Sequence, residues 1–121
     1  MKILYLAPGN SIHSKKWIEK IKSFNPSNSY YWYSFEKYQY EIDKDIKSFQ
    51  NNSKFKIKFL NILLFIFHIY KLNLKKEFDL IHIHSIGTYG LFSLIPICLQ
   101  IPFIITPWGS DIIFGSRKFI N

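Results

Sequence analysis

Apolar and polar positions fall in blocks along this chain, and each change of period marks an element. Lys2 to Ala7 is a short apolar run ended by Pro8-Gly9-Asn10. A continuous run of this kind predicts a strand covered on both faces. Ser11 is placed to cap a following helix, with Ser14 an alternative start. Behind them Trp17, Ile18, Ile21 and Phe24 recur at helical spacing, with Lys15, Lys16, Glu19, Lys20 and Lys22 on the other side. Asn25-Pro26-Ser27-Asn28 punctuates the chain and ends that helix.

Tyr30 to Phe35 is rich in aromatics and suits a second strand. Glu36 to Ser53 is polar and reads as a weak helix or a long loop. Lys54 to Phe59 alternates lysine with apolar residues, and period two predicts a strand with one solvated face. Leu60 to Lys76 reads as an apolar helix whose last residues, Lys75 and Lys76, oppose the negative end of its dipole. Asp79 to His84 predicts a fourth strand. A helix is expected from about Thr88 to Leu99, with Pro96 as a kink or early stop. Phe103 to Thr106 predicts a fifth strand closed by Pro107-Trp108-Gly109, and Ser110-Asp111 is placed to cap a last short helix.

Strands alternating with helices predict βαβ units and a parallel sheet with right-handed crossovers. The fold class is therefore α/β, a Rossmann-like open parallel sheet flanked by helices. The sequence stops soon after a helix start, whereas an open doubly wound sheet ordinarily adds further strands. An unfinished sheet exposes an edge, so a truncated domain is expected.

Composition narrows the partners. The 121 residues are one domain in size, with 48% apolar and 19% aromatic residues, which excludes disorder. A net charge of +8 favours anionic partners or a merely soluble basic surface. The lysines are dispersed and no arginine-rich block or aromatic RNA-binding signature appears, so nucleic acid is not expected. The single cysteine, Cys98, excludes a disulfide framework and a paired-cysteine zinc site, and reads as a small buried hydrophobe. The N-terminal run is too short for a signal peptide. The longest unbroken apolar run elsewhere, Ile62 to Phe67, falls far short of the ~20 residues that span a bilayer. A cytoplasmic chain, soluble or peripheral at the inner face of the membrane, is expected.

Ligands of open parallel sheets bind beyond the carboxyl ends of the strands. Three loops have that position: Pro8 to His13, His84 to Thr88, and Pro107 to Asp111. Each precedes a helix N-terminus, where free backbone N–H groups favour anions. The first loop lacks the dinucleotide and P-loop glycine patterns. Gly9 followed by Asn10 permits close backbone approach, by a ligand or simply by a tight turn. His82 and His84 share a strand face but have no third ligand nearby in sequence, so no metal is expected. His84, at the strand end, suits a polar ligand contact, and His82 a hydrogen-bonded core position. His68 reads as core or interface packing. His13 borders the expected crevice and is equally a contact or a surface residue. Trp108 can stack a sugar or fill the crevice wall. Asp111 can cap a helix, brace the loop or hydrogen-bond a sugar hydroxyl.

These stretches together resemble a known family. Ile3 to Trp17, Phe78 to His84 and Ile105 to Ile112 match in order and spacing the N-terminal domain of family-4-type glycosyltransferases, retaining enzymes built from two facing Rossmann-like domains. The resemblance runs end to end and is poor between Glu36 and Phe59. It implies that residues 1–121 are the acceptor-side domain, with the C-terminal donor-binding domain absent and this part inactive alone. It implies a nucleotide-sugar donor held mainly by the absent domain, a glycan or lipid-linked acceptor, and usually no metal or other cofactor. Surface polysaccharide or glycolipid synthesis is the implied setting. Substrate-binding residues are expected among Gly9, Asn10, His13, His84, Trp108, Gly109, Ser110 and Asp111, while catalytic residues are not assigned. Many members of the family carry a histidine where this chain has Trp108. The basic first helix and Lys54 to Lys58 suit contact with anionic lipid. Two alternatives stand beside this reading: a non-catalytic glycan- or partner-binding module, and one subunit of a split enzyme.

Overall fold

A computed structural model describes residues 1–50, 58–76, 78–84 and 87–108. The elements run β1 (Lys2–Leu6), α1 (Ile12–Phe24), β2 (Ser29–Ser34), β3 (Ile46–Gln50), α2 (Lys58–Lys76), β4 (Leu80–His84), α3 (Gly87–Gly90), a 3₁₀ turn (Leu91–Ser93), α4 (Leu94–Leu99) and β5 (Phe103–Thr106). The five strands form one sheet in the order β3-β2-β1-β4-β5. Every pairing is parallel, with Leu4 between Tyr31 and Ile81 at the centre. The α/β class and the Rossmann-like arrangement follow directly.

Period-two alternation sends the residues of β1 to β4 to two separate cores, while Phe103, Ile104 and Ile105 of β5 are exposed. Leu4, Leu6, Tyr31, Tyr33, Ile81 and Ile83 pack with Phe65 and Ile69 of α2 and with Tyr89, Phe92 and Ile95. Ile3, Tyr5, Ala7, Tyr30 and Trp32 pack with Ile18 of α1. Thus α1 covers one face of the sheet, and α2 with α4 covers the other. Burying a side chain such as Phe65 or Ile18 stabilises the fold by roughly 1.5–3 kcal/mol.

Helix α1 starts where Ser11 Oγ accepts from the Ser14 backbone N–H at 3.4 Å. It ends at Asn25, whose N–H reaches the Ile21 and Lys22 carbonyls just before Pro26. Lys22 ties the end of α1 to the approach of β3 through Asp43 at 2.6 Å and Asp45 at 2.9 Å. The break between α3 and α4 has a covalent cause: Pro96 has no N–H for the Phe92 carbonyl, and its ring crowds that carbonyl. The chain tightens to 3₁₀ geometry at Leu91–Ser93 and resumes as α4 with Pro96 in its first turn.

Several sequence expectations are corrected. The third strand is Ile46–Gln50, inside the polar stretch read as weak helix or loop. Lys58 and Phe59 belong to α2, while positions 54–57 lie outside the described residues. Of the apolar stripe read on α1 only Ile18 is fully buried; Trp17 and Phe24 are exposed, because the helix meets the sheet along Ser14 and Ile18. Cys98 and His68 are exposed, since α4 and α2 turn those positions away from the sheet. Among the described residues, no helix is long and apolar enough to cross a membrane.

Candidate functional site

The turn after β1 is fixed from below by β2. Ser34 is buried, and its Oγ accepts from the Gly9 N–H at 2.7 Å and donates to the Glu36 carbonyl at 2.7 Å. A Cβ on Gly9 would lie 2.7 Å from Ser34 Oγ and 2.8 Å from Tyr38 Cδ1. Gly9 is therefore buried against protein, and its lack of a side chain serves that approach. Asn10 is exposed at the turn. This anchored turn sets where α1 begins, and hence where the next four residues point.

His13, Lys16, Trp17 and Lys20 follow at i, i+3, i+4 and i+7, one face of α1. They form one wall of a pocket of about 490 Å³ at the carboxyl end of the sheet. His84 from the end of β4, Thr106 from the end of β5, and Pro107 with Trp108 complete it. The volume falls within the range of small-molecule sites, roughly 300–1,000 Å³. Aromatic edges meet inside: His13 and Trp108 are 5.2 Å apart and nearly perpendicular, and Trp17 and His84 are 6.0 Å apart in the same manner. Among the described residues, two lysines and no carboxylate line the pocket.

The two strand histidines behave differently. His82 Nε2 lies 2.7 Å from Thr106 Oγ1, a bond that ties β4 to β5. His84 is 1% exposed, and its Nε2 is buried without a hydrogen-bond partner among the described residues. Burial lowers the His82 pKa to about 4. Burial, and next the neighbouring His82, lowers that of His84 to about 3. Both rings are neutral at physiological pH. Leaving such a group unpaired costs about 1–3 kcal/mol.

Of the site residues expected from sequence, His13, His84 and Trp108 come together in this pocket. Gly9 and Asn10 are not part of its lining, and Gly109, Ser110 and Asp111 lie outside the described residues. Lys16, Trp17, Lys20 and Thr106 line the pocket but were not singled out for it. Their signal was available in part, because the first three share the helical face of His13. Among the described residues no three His, Cys, Asp or Glu side chains converge as metal ligands would.

No curated protein matches the chain. Among solved structures, the fold is similar to the C-terminal domain of a hydrogenase from Pyrococcus furiosus. The two share 12% identity with a TM-score of 0.52, over 86% of this chain and 89% of that one. A likeness at that identity concerns the fold alone. The family model described as glycosyl transferase 4-like matches residues 2–120. With a parallel Rossmann-like sheet and a pocket at its carboxyl edge, the chain belongs to the glycosyl transferase 4-like family.

Proposed function

We propose that this domain is the acceptor-side half of a two-domain retaining glycosyltransferase, and that the pocket between α1 and the ends of β4 and β5 takes the acceptor. The observation that carries the reading is a pocket at the carboxyl end of the sheet lined by Trp17, Trp108, His84 and two lysines. Sugars present hydroxyls around an apolar ring face. A neutral imidazole nitrogen suits the first, and indole rings suit the second. Lys16 and Lys20, one helical turn apart, add positive charge and favour an acceptor that carries phosphate.

Under this reading the domain binds and orients, and a second domain supplies the nucleotide sugar. His84 holds an acceptor hydroxyl, Trp17 and Trp108 exclude water from the sugar face, and the lysines hold the anionic part. Gly109, Ser110 and Asp111 follow Trp108 directly in sequence and are proposed to extend the same edge toward the donor. Gly9 and Asn10 are proposed to reach the donor or acceptor at the cleft. The setting is assembly of surface polysaccharide or glycolipid at the inner face of a membrane.

Trp17 and Trp108 make the test optical, with Trp32 a buried constant background. Glucose 1-phosphate is titrated into the purified chain while tryptophan emission is followed. Saturable quenching that disappears in Trp108→Ala supports the reading, and no response to any sugar or sugar phosphate sinks it. The native polypeptide mass is the second measurement. A species of roughly 30–45 kDa, the size of two domains, fits one half of a single-chain enzyme. A species at 14.5 kDa leaves a binding module or a split enzyme.

A further inference from the structure

Helix α2 has two apolar faces. Its inner face buries Phe65 and Ile69 against the sheet. Its outer face exposes Phe59, Leu63, Phe67, Tyr70 and Leu74. At 100° per residue these five fall within an arc of about 80°, a single stripe along some 22 Å of helix. An amphipathic helix needs only one such stripe to join its domain. From Leu63 to Leu74 the steps are four, three and four residues, the spacing of a seam that packs against a second helix.

Beside this ridge runs a groove. It has a volume of about 420 Å³ and lies between α2 and α4, with Leu63, Phe67 and Tyr70 on one side and Leu94 and Cys98 on the other. Leu91 and Ile97, one turn either side of Leu94, carry the exposed apolar surface along the 3₁₀ turn and α4. Leu91, Leu94, Ile97 and the five residues of the stripe are each 43% to 67% exposed. At roughly 200 Å² for a large side chain, they leave on the order of 800 Å² of largely apolar surface uncovered. The largest such patch on a monomer is ordinarily about 300–600 Å², whereas each partner of a standard interface covers about 800 Å².

Charge and shape together select the occupant. Between Phe59 and Tyr70 no residue is charged; Lys71, Lys75, Lys76, Glu77 and Asp79 all follow that stretch. A centre without charge gives a partner of opposite sign nothing to recognise. The face sets a ridge beside a groove, so two copies related by a two-fold axis can each seat their ridge in the other's groove, as an isologous pair requires. Phe67 stands midway along the stripe, and an axis through it runs the two α2 helices antiparallel. Lys71, whose Nζ is 4.9 Å from the Phe67 ring centroid, then stands about 12 Å along the helix from its copy. That exceeds the Debye length of about 8 Å at physiological salt. The net charge of +8 still opposes association and keeps it weak.

We infer that the outer face of α2 and the exposed side of α4 form the interface of a two-fold dimer of this chain, with Phe67 of the two copies meeting at the axis. The expected Kd is on the order of 10 μM, at the weak end for an interface of this size. At about 1 μM the chain is then mostly monomeric, and melts at that concentration read the fold of one copy. The interface lies on the sheet face opposite the pocket wall formed by α1. The inference stands whether or not the pocket takes a glycan.

Sedimentation equilibrium of the purified chain from about 1 to about 200 μM tests it. The mean mass is expected to rise from 14.5 kDa toward twice that value. Phe67→Glu places a good helix former four residues before Lys71, and is expected to weaken association by about tenfold or more, with circular dichroism unchanged. Phe67→Lys alone is expected to do the same. An equimolar mixture of the two variants is expected to regain the dimer, because the axis sets position 67 of one copy against position 67 of the other. Cys98, the single cysteine and exposed in one copy, supplies a footprint. Its alkylation is expected to slow several-fold at the highest concentration in the native chain and not in Phe67→Glu. A monomer at every concentration overturns the inference, and flotation of that monomer with lipid vesicles would assign the face to a membrane. A dimer that Phe67→Glu leaves intact, with Cys98 still reactive, also overturns it and assigns association to another surface, such as the open edge of β5. Failure of the mixed variants to pair overturns the two-fold arrangement.

Discussion

The imidazole rings of His82 and His84 lie 4.5 Å apart on one face of β4; His82 Nε2 meets Thr106 Oγ1, whereas His84 Nε2 has no hydrogen-bond partner among the described residues. Both are held neutral by burial, at about 4 for His82 and about 3 for His84. In the unfolded chain each titrates near 6.5. The unfolded state therefore binds protons that the native state refuses once the pH drops below about 6.5. Stability falls from that point down toward the native values, and above it the two histidines add no pH dependence.

The first prediction follows from that sign. At pH 5 each histidine costs about 2 kcal/mol relative to neutral pH. Urea midpoints measured from pH 7.5 to 4.5 are expected to hold level and then fall below about 6.5. His84→Gln is expected to remove part of that slope. Asp43, lowered chiefly by its hydrogen bond with Lys22, loses its pairing only at more acid pH and leaves this window to the histidines. A level midpoint across the whole range refutes the assignment.

Gly9→Ala is expected to destabilise the fold. The new methyl would stand 2.7 Å from Ser34 Oγ and 2.8 Å from Tyr38 Cδ1. Tyr38 cannot swing aside cheaply, because its hydroxyl sits 2.7 Å from both the Trp32 and Phe49 carbonyls. Overpacking of this kind costs about 1–3 kcal/mol, readable as a shift in denaturant midpoint. Ser34→Ala is expected to cost a similar amount, because it strands the Gly9 and Glu36 N–H groups that Ser34 Oγ receives.

The parallel sheet was legible because β1, β2 and β4 are covered on both faces and are rich in apolar and aromatic residues. β3 was not legible, for a physical reason. It is an edge strand that pairs only with β2 and offers one large apolar residue to each core, Ile46 and Phe49. No period survives in five residues with such a load. The Lys54 to Phe59 alternation carried period two without a strand at its end, where Lys58 already starts α2. Periodicity also cannot separate Trp17 from Ile18, although one lines the pocket and the other the core. Gly9 could be read as a close approach, but its partner, Ser34, lies 25 residues away in sequence. His84 could be placed at a strand end, whereas its unpaired nitrogen depends on every neighbour in the fold.

The two faces of α2 predict opposite results for phenylalanines two positions apart. Phe65 is fully buried and meets Tyr33, Phe35 and Phe92 at 4.7, 5.4 and 4.5 Å. Phe65→Ala is expected to cost about 3–5 kcal/mol. Phe67 is half exposed, and Phe67→Ala is expected to change stability by no more than about 0.5 kcal/mol. Thermal melts of the two variants check the orientation of the helix, and equal losses would mean the inner and outer faces are misassigned.

Trp17, Lys16 and Lys20 separate binding from stability in the pocket. Trp17 is exposed, so Trp17→Ala is expected to leave the melting temperature nearly unchanged. It is expected to weaken glucose 1-phosphate by about tenfold, because it removes the surface on which the sugar ring is proposed to lie. The proposed role of the lysines is to hold the phosphate alone. Lys16→Ala with Lys20→Ala is expected to weaken glucose 1-phosphate and to reduce the salt dependence of its binding, while leaving unphosphorylated glucose as it was. Titration of both ligands at two salt concentrations checks this. If the double variant weakens both ligands equally, the lysines shape the pocket rather than recognise charge. If it weakens neither, the acceptor's anionic group lies elsewhere along the carboxyl edge.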